Sequence, residues 1–196
     1  MVDTVLPALM IFAVAASITP GPNNIMVMAS GANFGLVRSV PHLFGISAGV
    51  FAIISLIGLG LMAAFDAFPM LQALLRIVSA LYLIWLAWRI AIAVPPAAKA
   101  KGAAPLTFFQ SAAFQTVNPK IWATGFSAVT LFATDRLPTS IILVATVFAV
   151  IGFASNVVWA GLGTALRHFM SGVRLRVFNI AAALLLIISL YPVLFA

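Results

Sequence analysis

A chain of 196 residues that is 64% hydrophobic and only 7% charged cannot furnish the exterior of a soluble domain, in which roughly a quarter of residues are charged. Its formal net charge is +7, but the ten basic side chains stand singly or in short clusters between apolar runs, which argues against a nucleic-acid surface. With no Cys, two His and three acidic residues, the chain lacks the material for disulfide scaffolds, thiol relays, thiolate metal sites and carboxylate-rich metal sites, and no cofactor is expected.

Six apolar segments can be read, at roughly 4–29, 40–64, 69–93, 107–133, 138–164 and 175–195. Each is long enough to cross a hydrocarbon core of about 30 Å at about 1.5 Å per residue. The runs are continuous rather than alternating, which predicts helices and not barrel strands. The first segment resembles a secretory leader superficially. It lacks a basic start and carries Asp3, so it is read as a span.

The first span contains Ser17-Ile18-Thr19-Pro20-Gly21-Pro22-Asn23-Asn24 about halfway along. Pro20 and Pro22 cannot donate backbone hydrogen bonds and should free the carbonyls of Ala16 and Ile18. Thr19 and Gly21 are each biased away from helix by the proline that follows. The helix should stop here and restart near Pro22, a favourable first helical residue. The amides of Asn23, Asn24 and Ile25 are then expected without intrahelical partners, at the positive end of a helix dipole that suits a carboxylate.

In the second span, His42 follows Pro41 near one end. It reads as an interfacial histidine, with a proton relay as the alternative. Gly45 and Gly49 form a small-xxx-small pair that suits helix packing. In the third span, Trp85 and Trp88 fit interfacial anchors, as does Tyr191 in the sixth. Residues 95–106 form a linker whose Pro95-Pro96-Ala97-Ala98-Lys99-Ala100-Lys101-Gly102 is small and basic. It divides one transmembrane domain into halves at 1–94 and 107–196.

The fourth span repeats the interruption with Gln115-Thr116-Val117-Asn118-Pro119-Lys120. Pro119 should free the carbonyl of Gln115. Ser111, Gln115 and Asn118 share one helix face, which should point into the bundle. Lys120 lies near the middle of the span, where an unpaired Lys costs about 2.5–3.5 kcal/mol on insertion scales. Asn156 and Trp159 sit at i, i+3 in the fifth span and either line a cavity or pack between helices.

An odd number of spans per half makes the second half enter from the opposite side, so the expected architecture is an all-α 3+3 inverted repeat. Helices 1 and 4 would both be broken near the midplane, and interrupted helices in corresponding positions point to a transporter binding site. Arg38, Arg89, Lys99, Lys101, Arg167, Arg174 and Arg176 fall on one side. Arg76 and Arg136 fall on the other, with Asp3, Asp66 and Asp135. The positive-inside rule makes the first side cytoplasmic and both termini periplasmic.

Thr19-Pro20-Gly21-Pro22-Asn23 and Asn118-Pro119-Lys120, with Ser79-Ala80-Leu81-Tyr82-Leu83 and Trp88-Arg89, resemble the signatures of the LysE-type (RhtB-type) amino-acid exporters over nearly the whole chain. The resemblance implies export of amino acids or related small metabolites across a bacterial inner membrane. A zwitterionic ligand would be held by Thr19, Pro20, Gly21, Pro22, Asn23, Asn24, Gln115, Asn118, Pro119, Lys120 and Asn156. Its carboxylate would face the restarted helix and Lys120, and its ammonium the freed carbonyls. No Asp or Glu lies inside an expected span, so proton coupling would fall to Lys120, to His42 or to the substrate itself. The same lack of acids disfavours cationic side chains and points to neutral amino acids. The competing readings are an exporter of another small solute, an assembly or interaction subunit without transport, and a membrane enzyme. The last has few residues with which to act and no metal cluster. The partners expected are the substrate, the lipid bilayer and, from glycine-rich faces, a second copy in a homodimer.

Overall fold

A computed structural model describes residues 2–61, 67–93, 104–166, 169 and 172–188. Asp66, the linker residues 95–102 with Lys99 and Lys101, Arg167 and Tyr191 lie outside the described residues, as do the side chains of Asp3, Arg76 and Ser79. The described residues form α-helices with two short helical turns of other types. They are α1 (Val2–Ile18), α2 (Pro22–Phe34), α3 (Leu36–Leu56, prolonged by a π-helical turn Ile57–Leu61), α4 (Pro69–Ala91), α5 (Phe108–Phe114, prolonged by a 3-10 turn Gln115–Val117), α6 (Pro119–Phe132), α7 (Pro138–Leu166) and α8 (Val173–Ile188).

Local chemistry sets the boundaries. Proline opens α2, α4 and α6, where its missing N–H would have been unsatisfied anyway. Thr107 and Gln110 open α5 with a reciprocal capping box. Between α2 and α3 the chain reverses on Gly35 alone, at φ 83°, in the left-handed region that glycine enters without strain.

The 29-residue α7 is the pivot and packs against α1, α2 and α3, while α3 also packs on α5, and α4 packs on α8. Two pairs of glycines permit the closest approaches. On one side Gly31 lies against the Ala160 carbonyl and Gly163 against the Met28 carbonyl, so that α2 and α7 nearly touch backbone to backbone. On the other, Gly45 faces the Phe108 carbonyl and Gly49 faces the backbone of Ala112, bringing α3 onto α5 as the small-residue spacing suggested. One apolar core joins α1, α3, α6 and α7 through Leu9, Leu43, Ile54, Ala128, Ile141 and Val144. A second joins α2, α4, α5 and α8 through Met26, Leu83, Leu86, Phe114 and Leu186. Large apolar side chains such as Val37, Phe44, Val150, Val158, Leu162 and Leu184 face outward, as a lipid-solvated bundle requires.

Two of the described helices are long and apolar enough to cross a membrane, α3 with its π turn (Leu36–Leu61) and α7. Val5–Ile18 and Pro22–Phe34 together make a third candidate, bent by 58°. Among the described residues, α4 also carries an apolar stretch at Ala80–Ala91. Between α5 with its 3-10 turn and α6 the helix is interrupted at Asn118, ahead of Pro119, and α8 is described as far as Ile188.

Candidate functional site

The interruption between α1 and α2 follows from its prolines. Gly21 precedes Pro22 in a fully extended conformation (φ −164°, ψ 179°) and offers no side-chain cap to α2. The carbonyls exposed by the break are taken up locally. Asn24 Nδ2 donates to the Ser17 carbonyl at 2.9 Å and to that of Thr19 at 3.4 Å. Ser155 of α7 donates to the same Ser17 carbonyl at 2.9 Å. The Ile25 amide, expected to be free, donates to the Gly21 carbonyl at 3.0 Å as the first helical bond. Only the amides of Asn23 and Asn24 are left, with no acceptor among the described residues.

The second interruption is closed differently. The Gln115 carbonyl, which Pro119 was expected to free, accepts from the Asn118 N–H at 3.3 Å, because the chain tightens into a 3-10 turn before the proline. Asn118 then caps α6 by accepting from the Lys120 N–H at 3.2 Å.

The two interruptions meet. Asn23 and Gln115 exchange reciprocal side-chain amide hydrogen bonds at 2.9 and 3.1 Å, and Asn118 Nδ2 reaches Gln115 Oε1 at 3.4 Å. Lys120 Nζ donates to the Thr19 carbonyl. Its stem lies across Gly21, where a Cβ would come within 2.8 Å of Lys120 Cδ. A side chain at that position would have to push the Lys120 stem aside, although the backbone conformation there is open to any residue.

Around this junction is a cavity of about 40 Å³, lined by Asn23, Asn24, Asn118, Lys120 and Asn156 together with Ser17, Ser47 and Thr124. Ile46, Val50, Ile121 and Phe148 supply its apolar wall. No acidic side chain lines it among the described residues. The N-termini of α2 and α6 both open onto it, so two helix dipoles and one ammonium present positive potential to the same small volume. The Ser47 hydroxyl is buried without a partner, and the Asn156 amide makes no hydrogen bond among the described residues. Both are available to a ligand.

The residues singled out from sequence therefore separate into roles. Thr19, Pro20, Gly21 and Pro22 shape the turn, and the Thr19 carbonyl holds Lys120. Gln115 and Pro119 do not line the cavity. The first tethers Asn23 and the second starts α6. Asn156 faces the cavity while Trp159 packs beside the first apolar core. His42 is 1% exposed, on the inner face of α3, and lines a different cavity. Ser47, Thr124 and Ser155 were missed, because a hydroxyl in a membrane helix ordinarily bonds its own preceding turn and carries no local sign of a site.

The LysE type translocator family matches residues 14–191 of this chain. Cysteine/O-acetylserine efflux proteins of Escherichia coli and Shigella sonnei are each 34% identical to it over 192 residues, covering 95% of this chain and 96% of each relative. No solved structure matches the chain. A match over nearly the full length, on a helical bundle whose outer surface is apolar, makes this chain a member of the LysE type translocator family and a multi-pass membrane transport protein.

Proposed function

We infer that this translocator is a secondary exporter of small neutral amino acids or closely related metabolites, working across the bacterial inner membrane. The observation that carries the reading is the single cavity on which two helix N-termini and the Lys120 ammonium converge with no acidic side chain among the described lining residues. Such a site attracts a carboxylate and offers nothing to pair with a cationic side chain. The cysteine and O-acetylserine named for the relatives are small, neutral at the side chain and zwitterionic, which makes them the first cargoes to test. Asn23, Asn24, Asn118, Asn156, Ser47 and the Lys120 ammonium are the groups that would hold the substrate, with Gln115 and the Thr19-Pro20-Gly21-Pro22 turn positioning them.

The packing pattern supports a 3+3 inverted repeat. Exchanging the halves maps the α1–α7 contact onto α5–α3, of similar extent, and the extensive α2–α7 contact onto a smaller one between α6 and α3. In that arrangement α1/α2 and α5/α6 are the broken first and fourth of six spans, their breaks lie near the midplane, and both termini are periplasmic. The central cavity has room for only a few water molecules. Loading an amino acid therefore requires the two halves to part, as rocking transporters do. Proton coupling, where it operates, falls to Lys120, to His42 or to the substrate.

Efflux from preloaded proteoliposomes with a panel of labelled amino acids tests the reading. Cysteine, serine and O-acetylserine should leave well above the rate of empty liposomes, and lysine and arginine should not. Efflux of no amino acid at all would refute it.

A further inference from the structure

A second and larger cavity, of about 260 Å³, lies between α2, α3, the end of α4 and the Ala104–Leu106 segment ahead of α5, and has no part in the site described above. Its wall is mostly apolar, with Met26, Leu86, Ile90 and Leu106, and it carries two groups suited to a ligand, Arg89 and His42. His42 is almost completely buried, and neither ring nitrogen finds a hydrogen-bond partner among the described residues. Leaving a buried imidazole unpaired is costly, and the cost is recovered when a ligand supplies the partner. The Arg89 guanidinium lies over the Trp85 ring at 5.3 Å and makes no hydrogen bond or ion pair among the described residues. Its fork of donors is therefore unspent on the described residues. Nearby polar groups are already satisfied. Asn33 pairs with Asn179 at 2.8 Å, and Ser30 with Ser39 at 2.7 Å.

This cavity and the central one are consecutive along the same two helices. On α2, Asn23 and Asn24 line the central cavity, while Met26, Ala29, Ser30 and Asn33 line the second. On α3, His42 faces the second cavity and Ile46, one turn on, faces the central one. A ligand would travel only about 10 Å along α2 to pass between them. Arg89 belongs to the side that the excess of basic residues makes cytoplasmic.

The geometry points to a second ligand station, at the cytoplasmic end, that takes the carboxylate of the outgoing amino acid on Arg89 with His42 as a hydrogen-bonding partner before the substrate reaches the central site. Its orientation and cargo rest on the transport reading given above. The apolar wall accommodates a small uncharged side chain, and a carboxylate is what a free guanidinium binds best in a bidentate pair. The same chemistry would attract the phosphate of a lipid headgroup, and a sided measurement separates the two.

The test is transport of radiolabelled L-cysteine, kept reduced, by full-length protein. It is measured from the cytoplasmic face in inside-out vesicles and from the other face by exchange in right-side-out vesicles. Arg89→Gln should raise the cytoplasmic-face KM about tenfold, with the maximal rate per inserted molecule and the opposite-face KM unchanged, and Arg89→Lys should recover part of the loss. An unchanged KM with less inserted protein would assign Arg89 to lipid and overturn the station. So would a KM that rises equally from both faces. If wild-type protein moves no amino acid, the transport reading itself fails and takes the cargo of this station with it.

Discussion

Gly21 opens α2 with no side chain to cap it, whereas Asn118 opens α6 with its own carboxamide on the Lys120 amide. The two interruptions are alike in backbone design, each starting with a proline a helix whose N-terminal turn opens onto the same cavity, yet they contribute different chemistry. The first leaves the amides of Asn23 and Asn24 without an acceptor among the described residues and provides a glycine gap. The second spends its local hydrogen bonds on itself and contributes a cation, which reaches across that gap to the Thr19 carbonyl. The difference teaches that the site is assembled between the halves. Neither interruption alone has both the open donors and the charge, and the Asn23–Gln115 pair fixes them in register.

The largest way to break this division of labour is Lys120→Met. Transport should fall on the order of 100-fold or more, the worth of a charge-assisted contact in a partly buried site. Insertion should if anything improve, because a midspan cation that costs about 2.5–3.5 kcal/mol is removed. Efflux at the wild-type rate in that variant would remove Lys120 from the site. Gly21→Ala attacks the other interruption through the same residue, since the new Cβ must displace the Lys120 stem. A rise in KM on the order of tenfold is expected, with normal amounts of protein in the membrane. An unchanged KM would mean that the lysine need not lie across the turn. The smallest effect belongs to Asn118→Ala, which removes the cap of α6. It should cost about 1 kcal/mol of stability, read as earlier thermal unfolding in detergent, and reduce transport less than Lys120→Met does. A loss equal to that of Lys120→Met would show that the second interruption supplies more than charge.

Much of this site was legible because proline and glycine announce themselves locally. Pro20, Pro22 and Pro119 mark where helices must stop and restart, and the i, i+4, i+7 spacing of Ser111, Gln115 and Asn118 correctly predicted a buried polar face. What local pattern could not carry was the fate of the freed groups. The Gln115 carbonyl is reclaimed by a 3-10 turn and the Ile25 amide by Gly21, and each outcome depends on backbone geometry that the prolines permit but do not dictate. Tertiary neighbours were equally hidden. Gly31 and Gly163 meet only because α2 crosses α7, and Ser47 becomes a cavity residue only because α3 presents it to the junction. The burial of His42 was hidden too, because nearness to the end of an apolar run says nothing of which helix face the residue occupies.

The central claim is that the joined interruptions hold a carboxylate. Competition against labelled cysteine efflux by serine and by serine carboxamide tests it most directly, because the two competitors differ only in the group that Lys120 and the two helix N-termini would hold. Serine should compete with the wild-type protein, the carboxamide should not, and Lys120→Met should erase any difference in their binding. Equal competition by both in the wild-type protein would contradict it.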